Sequence, residues 1–87
     1  MGVTFALNEL PTRDLREKVE TRIAEILRGR PEDEVLTVWI YASVCRLYHH
    51  VILEWPGLRR EQIFYERAEA LPEAVAHWVG LYLPRLE

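Results

Sequence analysis

The residues with the clearest chemical potential in this chain are its three histidines and its single cysteine. Cys45, His49, His50 and the distant His77 carry the sulfur and imidazole groups that bind zinc. On a strand, Cys45 and His49 would share a face but lie about 13 Å apart, at ~3.3 Å per residue. Only a helix would make these two residues adjacent. A metal site therefore depends on a helical structure for this segment, and we predict neither a metal nor any other cofactor.

General acid–base catalysis is the second kind of chemistry to consider. His50 and Glu54 are adjacent on a helix but two pleats apart on a strand, and a carboxylate orients an imidazole only at about 2.6–3.2 Å. Cys45 has no activating neighbour in the sequence, so we expect it to be a small buried residue. The chain has no glycine-rich phosphate loop and no nucleophile elbow. We assign no catalytic residue, and a small enzyme with an unrecognised site is the third hypothesis for function.

The third candidate for a functional site is a block of β-branched and aromatic residues between Val35 and Trp55. Such residues suit a pleated, half-buried surface, so the block is typical of strands. Alternation along a strand would place Trp39 and Tyr41 on one face. The other face, which helices would cover, would then carry Leu36, Val38, Ile40 and Ala42. Depending on how the strands align, the aromatic face would also include Tyr48, His50, Ile52 and, if a third strand exists, Phe64. A patch of large exposed apolar side chains usually marks an interaction site.

The partner of this aromatic face is the central functional question. We expect Trp39, Tyr41, Tyr48 and His50 to bind protein, with a second copy in a homodimer as the first choice. The alternative is single-stranded nucleic acid stacked on the same rings, which normally needs a basic surround. The formal net charge of −3 provides no such field. A structural alternative is that the chain's own N-terminal segment covers the aromatic row.

A small basic spot lies beside the predicted turn at Pro56 and Gly57. Arg59 and Arg60 together could hold a phosphate or a carboxylate. Glu61 follows immediately and partly cancels their charge. We note the pair as a possible anion-binding site.

The elements that would position these residues begin with a helix. Thr12 is a suitable N-cap and Gly29 a suitable C-terminal stop. Between them an apolar stripe recurs at helical spacing, at Leu15, Val19, Ile23, Ile26 and Leu27. A second stripe, starting beside Pro72 and ending at Pro84, predicts a final helix.

The segment between the helices is less certain in type. Residues 35–42 and 47–55 read as a hairpin, but the connection at Ser43 to Arg46 lacks Gly, Pro, Asn and Asp. A helix over residues 40–54 is the rival interpretation, and an all-α fold would follow from it. Residues 61–67 fit either a strand or a helix. Residues 3–7 alternate loosely, as in a short edge strand.

We therefore predict one domain, residues 1–87, with the order α-β-β-(β or α)-α. This is a two-layer α+β fold in which helices lie on one face of an antiparallel sheet of two or three strands. A hydrophobic share of 49% and a charged share of 29% fit a globular protein.

The same composition bears on location. The longest apolar stretch is broken by Arg46, His49 and His50, and the N-terminus lacks the basic region of a signal peptide. A lone cysteine fits a reducing compartment. We expect a soluble, cytoplasmic interaction or accessory module without a membrane partner.

Overall fold

The computed structural model describes residues 2–30 and 34–82. In these ranges the helices and strands are β1 (Gly2–Asn8), α1 (Arg13–Leu27), β2 (Val35–Ala42), β3 (His49–Trp55), β4 (Leu58–Phe64) and α2 (Leu71–Tyr82). The α+β class is confirmed, and the all-α alternative is wrong. The predicted sheet of two or three antiparallel strands is also wrong, because the sheet has four strands and is mixed.

The first strand accounts for most of this difference. β1 runs parallel to β2, whereas β2–β3 and β3–β4 are antiparallel, and the strand order is β1-β2-β3-β4. The order along the chain is therefore β-α-β-β-β-α, with α1 as the crossover that parallel neighbours require. An irregularity between Phe5 and Leu7 interrupts the β1–β2 register. Such a bulge breaks the alternation on which recognition of a strand from sequence depends.

Helix α1 forms where the apolar stripe and the capping residues predict it. The Thr12 side chain accepts a hydrogen bond from the Leu15 amide at 3.2 Å. Gly29, just past the last turn, has a φ of +84°, which glycine adopts without steric cost. Of the charged pairs on its outer face, Arg13 and Glu17 approach to 2.8 Å.

The hairpin prediction for residues 35–55 is confirmed, and the ambiguous segment after it contains the end of a strand. Pro56 and Gly57 connect β3 to β4, with Trp55 paired to Leu58. Gly57 has a φ of +85°, and a proline followed by a left-handed glycine is the usual pattern of a type II turn.

Both helices pack on the same face of the sheet. Alternate residues of β2 and β3 point toward them and are buried: Leu36, Val38, Ile40, Val51, Leu53 and Trp55. The helices contribute Val19 and Ile23 from α1 and Val75 and Val79 from α2 to this single core. The opposite face carries neither helix, and we call it the open face.

The second helix begins one residue before Pro72, following a short 3₁₀ turn at Ala68–Ala70. Its predicted end at Pro84 lies outside the described residues. Neither helix in the described part of the chain has the length and apolar character needed to cross a membrane.

Candidate interaction site on the open face of the sheet

The open face is built by one row of side chains from each strand. The strand registers bring the rows together, because β2 pairs Trp39 with Ile52 and Tyr41 with His50, and β3 pairs His50 with Ile63. Side chains that are directly opposite on neighbouring strands point to the same face. The rows therefore form a continuous surface across the sheet.

An apolar band occupies one half of the open face. Its members are Leu7, Trp39, Tyr41, Ile52 and Ile63. Tyr41 and Ile63 are 40% and 44% exposed. Ile52 is buried although it is not part of the core under the helices. Since Trp39 lies opposite Ile52 on β2, the band has a packed centre with exposed flanks.

Tyr48 extends the band at the end where β2 connects to β3. It lies two residues before His50, and Tyr65 lies two residues after Ile63, so both follow the open-face alternation. Their ring centroids are 6.0 Å apart. The Tyr41 and His50 rings are also neighbours, at 6.3 Å. The structure thus places Trp39, Tyr41, Tyr48 and His50 in one region, although binding by these residues remains a prediction.

Charged side chains of both signs lie beside the band on β3 and β4. Arg59 lies 3.1 Å from the Glu54 carboxylate and 3.9 Å from that of Glu61. His50 Nε2 lies 3.2 Å from Glu61 Oε1. Glu54, Arg59 and Glu61 therefore form a row that alternates in sign on β3 and β4, beside the apolar band.

The sequence missed several members of this surface. Leu7 reaches the open face only because the bulge in β1 reverses its direction, and no sequence signal marks that bulge. Ile63 belongs to a strand that the sequence left ambiguous, and Tyr65 follows directly after that strand. Phe64, which we expected to join the aromatic face, is instead buried on the helix side, with its ring centroid 5.5 Å from that of Trp78. Successive residues of a strand point to opposite faces, so Phe64, which follows Ile63 on β4, lies on the helix side.

The two arginines of the predicted anion site are separated by the same alternation. Arg59 is on the open face, and Arg60 is on the helix side, 5.5 Å from the centroid of the Tyr82 ring. Successive residues of a strand point to opposite faces, so the guanidinium groups do not converge. The pair does not form one joint site in this structure.

The candidate metal ligands are likewise dispersed. Cys45 is exposed, which corrects the prediction that it is buried. His49 is buried on the helix side, while His50 lies on the open face and His77 on the surface of α2. In the part of the chain that the structure describes, no group of three or more His, Cys, Asp and Glu side chains could hold a metal ion.

One histidine does contact a carboxylate, which bears on acid–base chemistry. The His50–Glu61 distance of 3.2 Å lies at the limit for a carboxylate that orients an imidazole. Both side chains lie on the open face and are 37% and 47% exposed. Catalytic pairs usually lie in a concave pocket that buries the substrate. This pair is therefore better suited to contact across a surface than to enclosed chemistry.

Comparison with protein-family models, curated proteins and solved structures finds no match for this chain.

Proposed function

We propose that this chain is a non-enzymatic protein–protein interaction module that forms a homodimer through its open face. The apolar band beside Trp39 is the observation that carries the proposal. Two-layer folds of this kind have one sheet face without its own cover, and several large apolar side chains there would be solvated in a monomer. Trp and Tyr are the residues that most often anchor protein interfaces.

A second copy fits this face because the charges beside the band are of both signs. A two-fold interface brings the same patch of each subunit together, so it must be self-complementary. The row formed by Glu54, Arg59 and Glu61 alternates in sign, and a two-fold rotation can set opposite charges against each other. A patch of one sign could not pair with itself in this way.

Single-stranded nucleic acid is the alternative occupant of the same face. The rings of Trp39 and Tyr41 could stack on bases, but phosphates require positive charge around them. Arg59 is already close to two carboxylates. We therefore favour protein. Binding of a single-stranded oligonucleotide that weakens steeply with salt, and with Arg59→Ala, would support the alternative.

The test of the proposed function is the mass of the protein in solution. Light scattering over a dilution series should give about twice 10.3 kDa at high concentration. Tyr41→Lys should shift the series toward monomer, because it places a charge in the apolar band. Leu81→Lys is the matched control, since Leu81 is 66% exposed on α2, away from the open face.

Folding of both variants is checked by far-ultraviolet circular dichroism. A wild-type chain that is monomeric throughout the series would contradict the proposal. Loss of dimer in Leu81→Lys to the same extent as in Tyr41→Lys would place the contact elsewhere.

A further inference from the structure

The outer edge of β1 is a second surface, distinct from the open face. The Gly2 amide donates to the Glu34 carbonyl at 2.9 Å, so Gly2 bonds inward to β2. Because successive backbone groups alternate in direction, the amides and carbonyls of Val3 and Phe5 point away from β2. Over residues 2–30 and 34–82, no strand lies beyond β1.

The two edges of the sheet differ in how they are protected. Natural sheets protect exposed edges with charged side chains, proline or bulges. β4, the opposite edge, carries Arg59, Arg60 and Glu61 in succession. β1 has neither a charged residue nor a proline, and its bulge affects only the segment from Phe5 to Leu7. Residues 2–5 therefore form a regular, uncharged edge.

A groove accompanies this edge on the helix side. It has a volume of about 600 Å³ and lies between β1 and the C-terminal half of α1. Val3 lines it from the strand, and the helix contributes the small side chains of Thr21 and Ala24 together with the charged Glu25. Arg28 and Arg30 lie at its helix end. An added strand can bond to an edge while alternate side chains enter such a groove, which is the geometry of β-strand addition.

We propose that β1 of a second copy occupies this edge, antiparallel, about a two-fold axis at Thr4. In that register, Val3 of each copy faces Phe5 of the other, and the pair exchanges both backbone hydrogen bonds. The two four-stranded sheets become one continuous sheet. The partly buried side chains of Val3 and Phe5 then contact those of the second copy beneath the helices.

The lack of charge on β1 favours a second copy as the occupant. Identical strands can pair about a two-fold axis only if no like charges face each other. At the axis Thr4 meets Thr4, and cross-strand threonine pairs are favourable. β4 in the same arrangement, centred on Glu61, would set that carboxylate against itself. The regular part of the β1 edge, residues 2–5, is also the part that this register uses.

This contact is separate from the open-face dimer and forms only above the concentrations of the light-scattering series, so its test starts from a chain in which the open-face dimer is weakened. In Tyr41→Lys, hydrogen exchange of the Val3 and Phe5 amides is followed by NMR at low and high protein concentration. Edge pairing should slow both amides by about tenfold or more as concentration rises. Exchange that stays fast at every concentration would overturn the proposal, whatever the state of the open face.

Val3→Pro supplies a variant that removes the outward amide without removing a bond to β2. Proline is tolerated on an edge strand at such a position. Concentration-dependent protection of Phe5 should disappear in Val3→Pro. Val3→Ala is the matched control, because it loses similar packing but keeps the donor, and protection should persist. Equal behaviour of the two variants would contradict edge pairing.

A cross-link tests the register directly. Thr4→Cys, in a Cys45→Ser background, would place two thiols at a non-hydrogen-bonded pair with Cα atoms about 4.5 Å apart, within disulfide range. Mild oxidation should give a covalent dimer. Gln62→Cys on the opposite edge is the control. Equal cross-linking of both variants would indicate random collision and overturn this register.

Discussion

Among residues 2–30 and 34–82, His49 is the one buried polar side chain of the core, and it is poorly accommodated there. Only 1% of its surface is exposed, and neither ring nitrogen has a hydrogen-bond partner in the part of the chain that the structure describes. Burial, with a smaller effect of the Arg46 guanidinium, lowers the pKa of the His49 imidazole below its usual 6.5. Glu9 opposes this shift in part. The neutral ring is thus favoured in the folded chain.

This shift predicts a loss of stability in acid. The unfolded chain binds the His49 proton more readily, so the free energy of unfolding should fall as pH drops below about 6.5. Urea unfolding at pH 7.5 and 5.5 measures this. His49→Leu should remove much of the difference, whereas His77→Gln, at an exposed site on α2, should retain it. An equal pH dependence in wild type and His49→Leu would contradict the assignment.

At the scale of elements, the connection between β2 and β3 shows how a hairpin forms without the usual turn residues. Cys45 and Arg46 have φ values of 60° and 54°, in the left-handed region that most side chains avoid. The Ser43 hydroxyl accepts a hydrogen bond from the Tyr48 amide at 3.0 Å. The Arg46 guanidinium donates a hydrogen bond to the Glu9 carbonyl. These bonds hold the connection in its unfavourable conformation.

Substitution at Cys45 should therefore act through the backbone. Cys45→Gly should raise the free energy of unfolding by roughly 0.5–1 kcal/mol, since a left-handed residue costs about 1–2 kcal/mol and glycine loses more entropy on folding. Cys45→Val should lower it by about 1–2 kcal/mol, because a branched side chain fits that region poorly. Chemical denaturation measures both changes. If Cys45→Val were more stable than Cys45→Gly, backbone strain at residue 45 would not determine the effect of these substitutions.

The elements also show why the sequence predicted some parts of the fold and not others. α1 was predictable because Thr12 and Gly29 mark its ends. β2 and β3 were predictable from β-branched and aromatic residues, which also placed Trp39 and Tyr41 on one side. β4 was ambiguous because an edge strand can carry polar side chains on both faces. The short edge strand indicated at residues 3–7 is confirmed as β1, but no local pattern reveals its parallel pairing across a helix.

At the scale of the whole molecule, a chain of 87 residues has little stability to lose. Typical values of ~0.05–0.15 kcal/mol per residue correspond to about 4–13 kcal/mol in total. Leu53, fully buried on the inner strand β3, belongs to the core that both helices share. β3 pairs with both β2 and β4, and its side chains on the other side belong to the open face. Loss of packing around Leu53 should therefore also disturb the open face.

Leu53→Ala should lower the free energy of unfolding by about 2–5 kcal/mol, the usual effect of a cavity in a core. Urea unfolding followed by Trp fluorescence measures this. Val44→Ala, at a side chain that is 87% exposed, is the control and should change stability by less than about 0.5 kcal/mol. Similar losses in both variants would mean that the core does not dominate stability.

The parallel pairing of β1 with β2 also has a consequence for the order of folding. β2, β3 and β4 form a meander of neighbours in sequence, which can close quickly. β1 can pair only after residues 35–42 have been synthesised, which takes on the order of seconds at ~5–20 residues per second. During that interval an uncharged strand has no partner in its own chain. Until β2 emerges, β1 is therefore the strand most open to misassociation, and a chaperone that shields β1 would act in that interval.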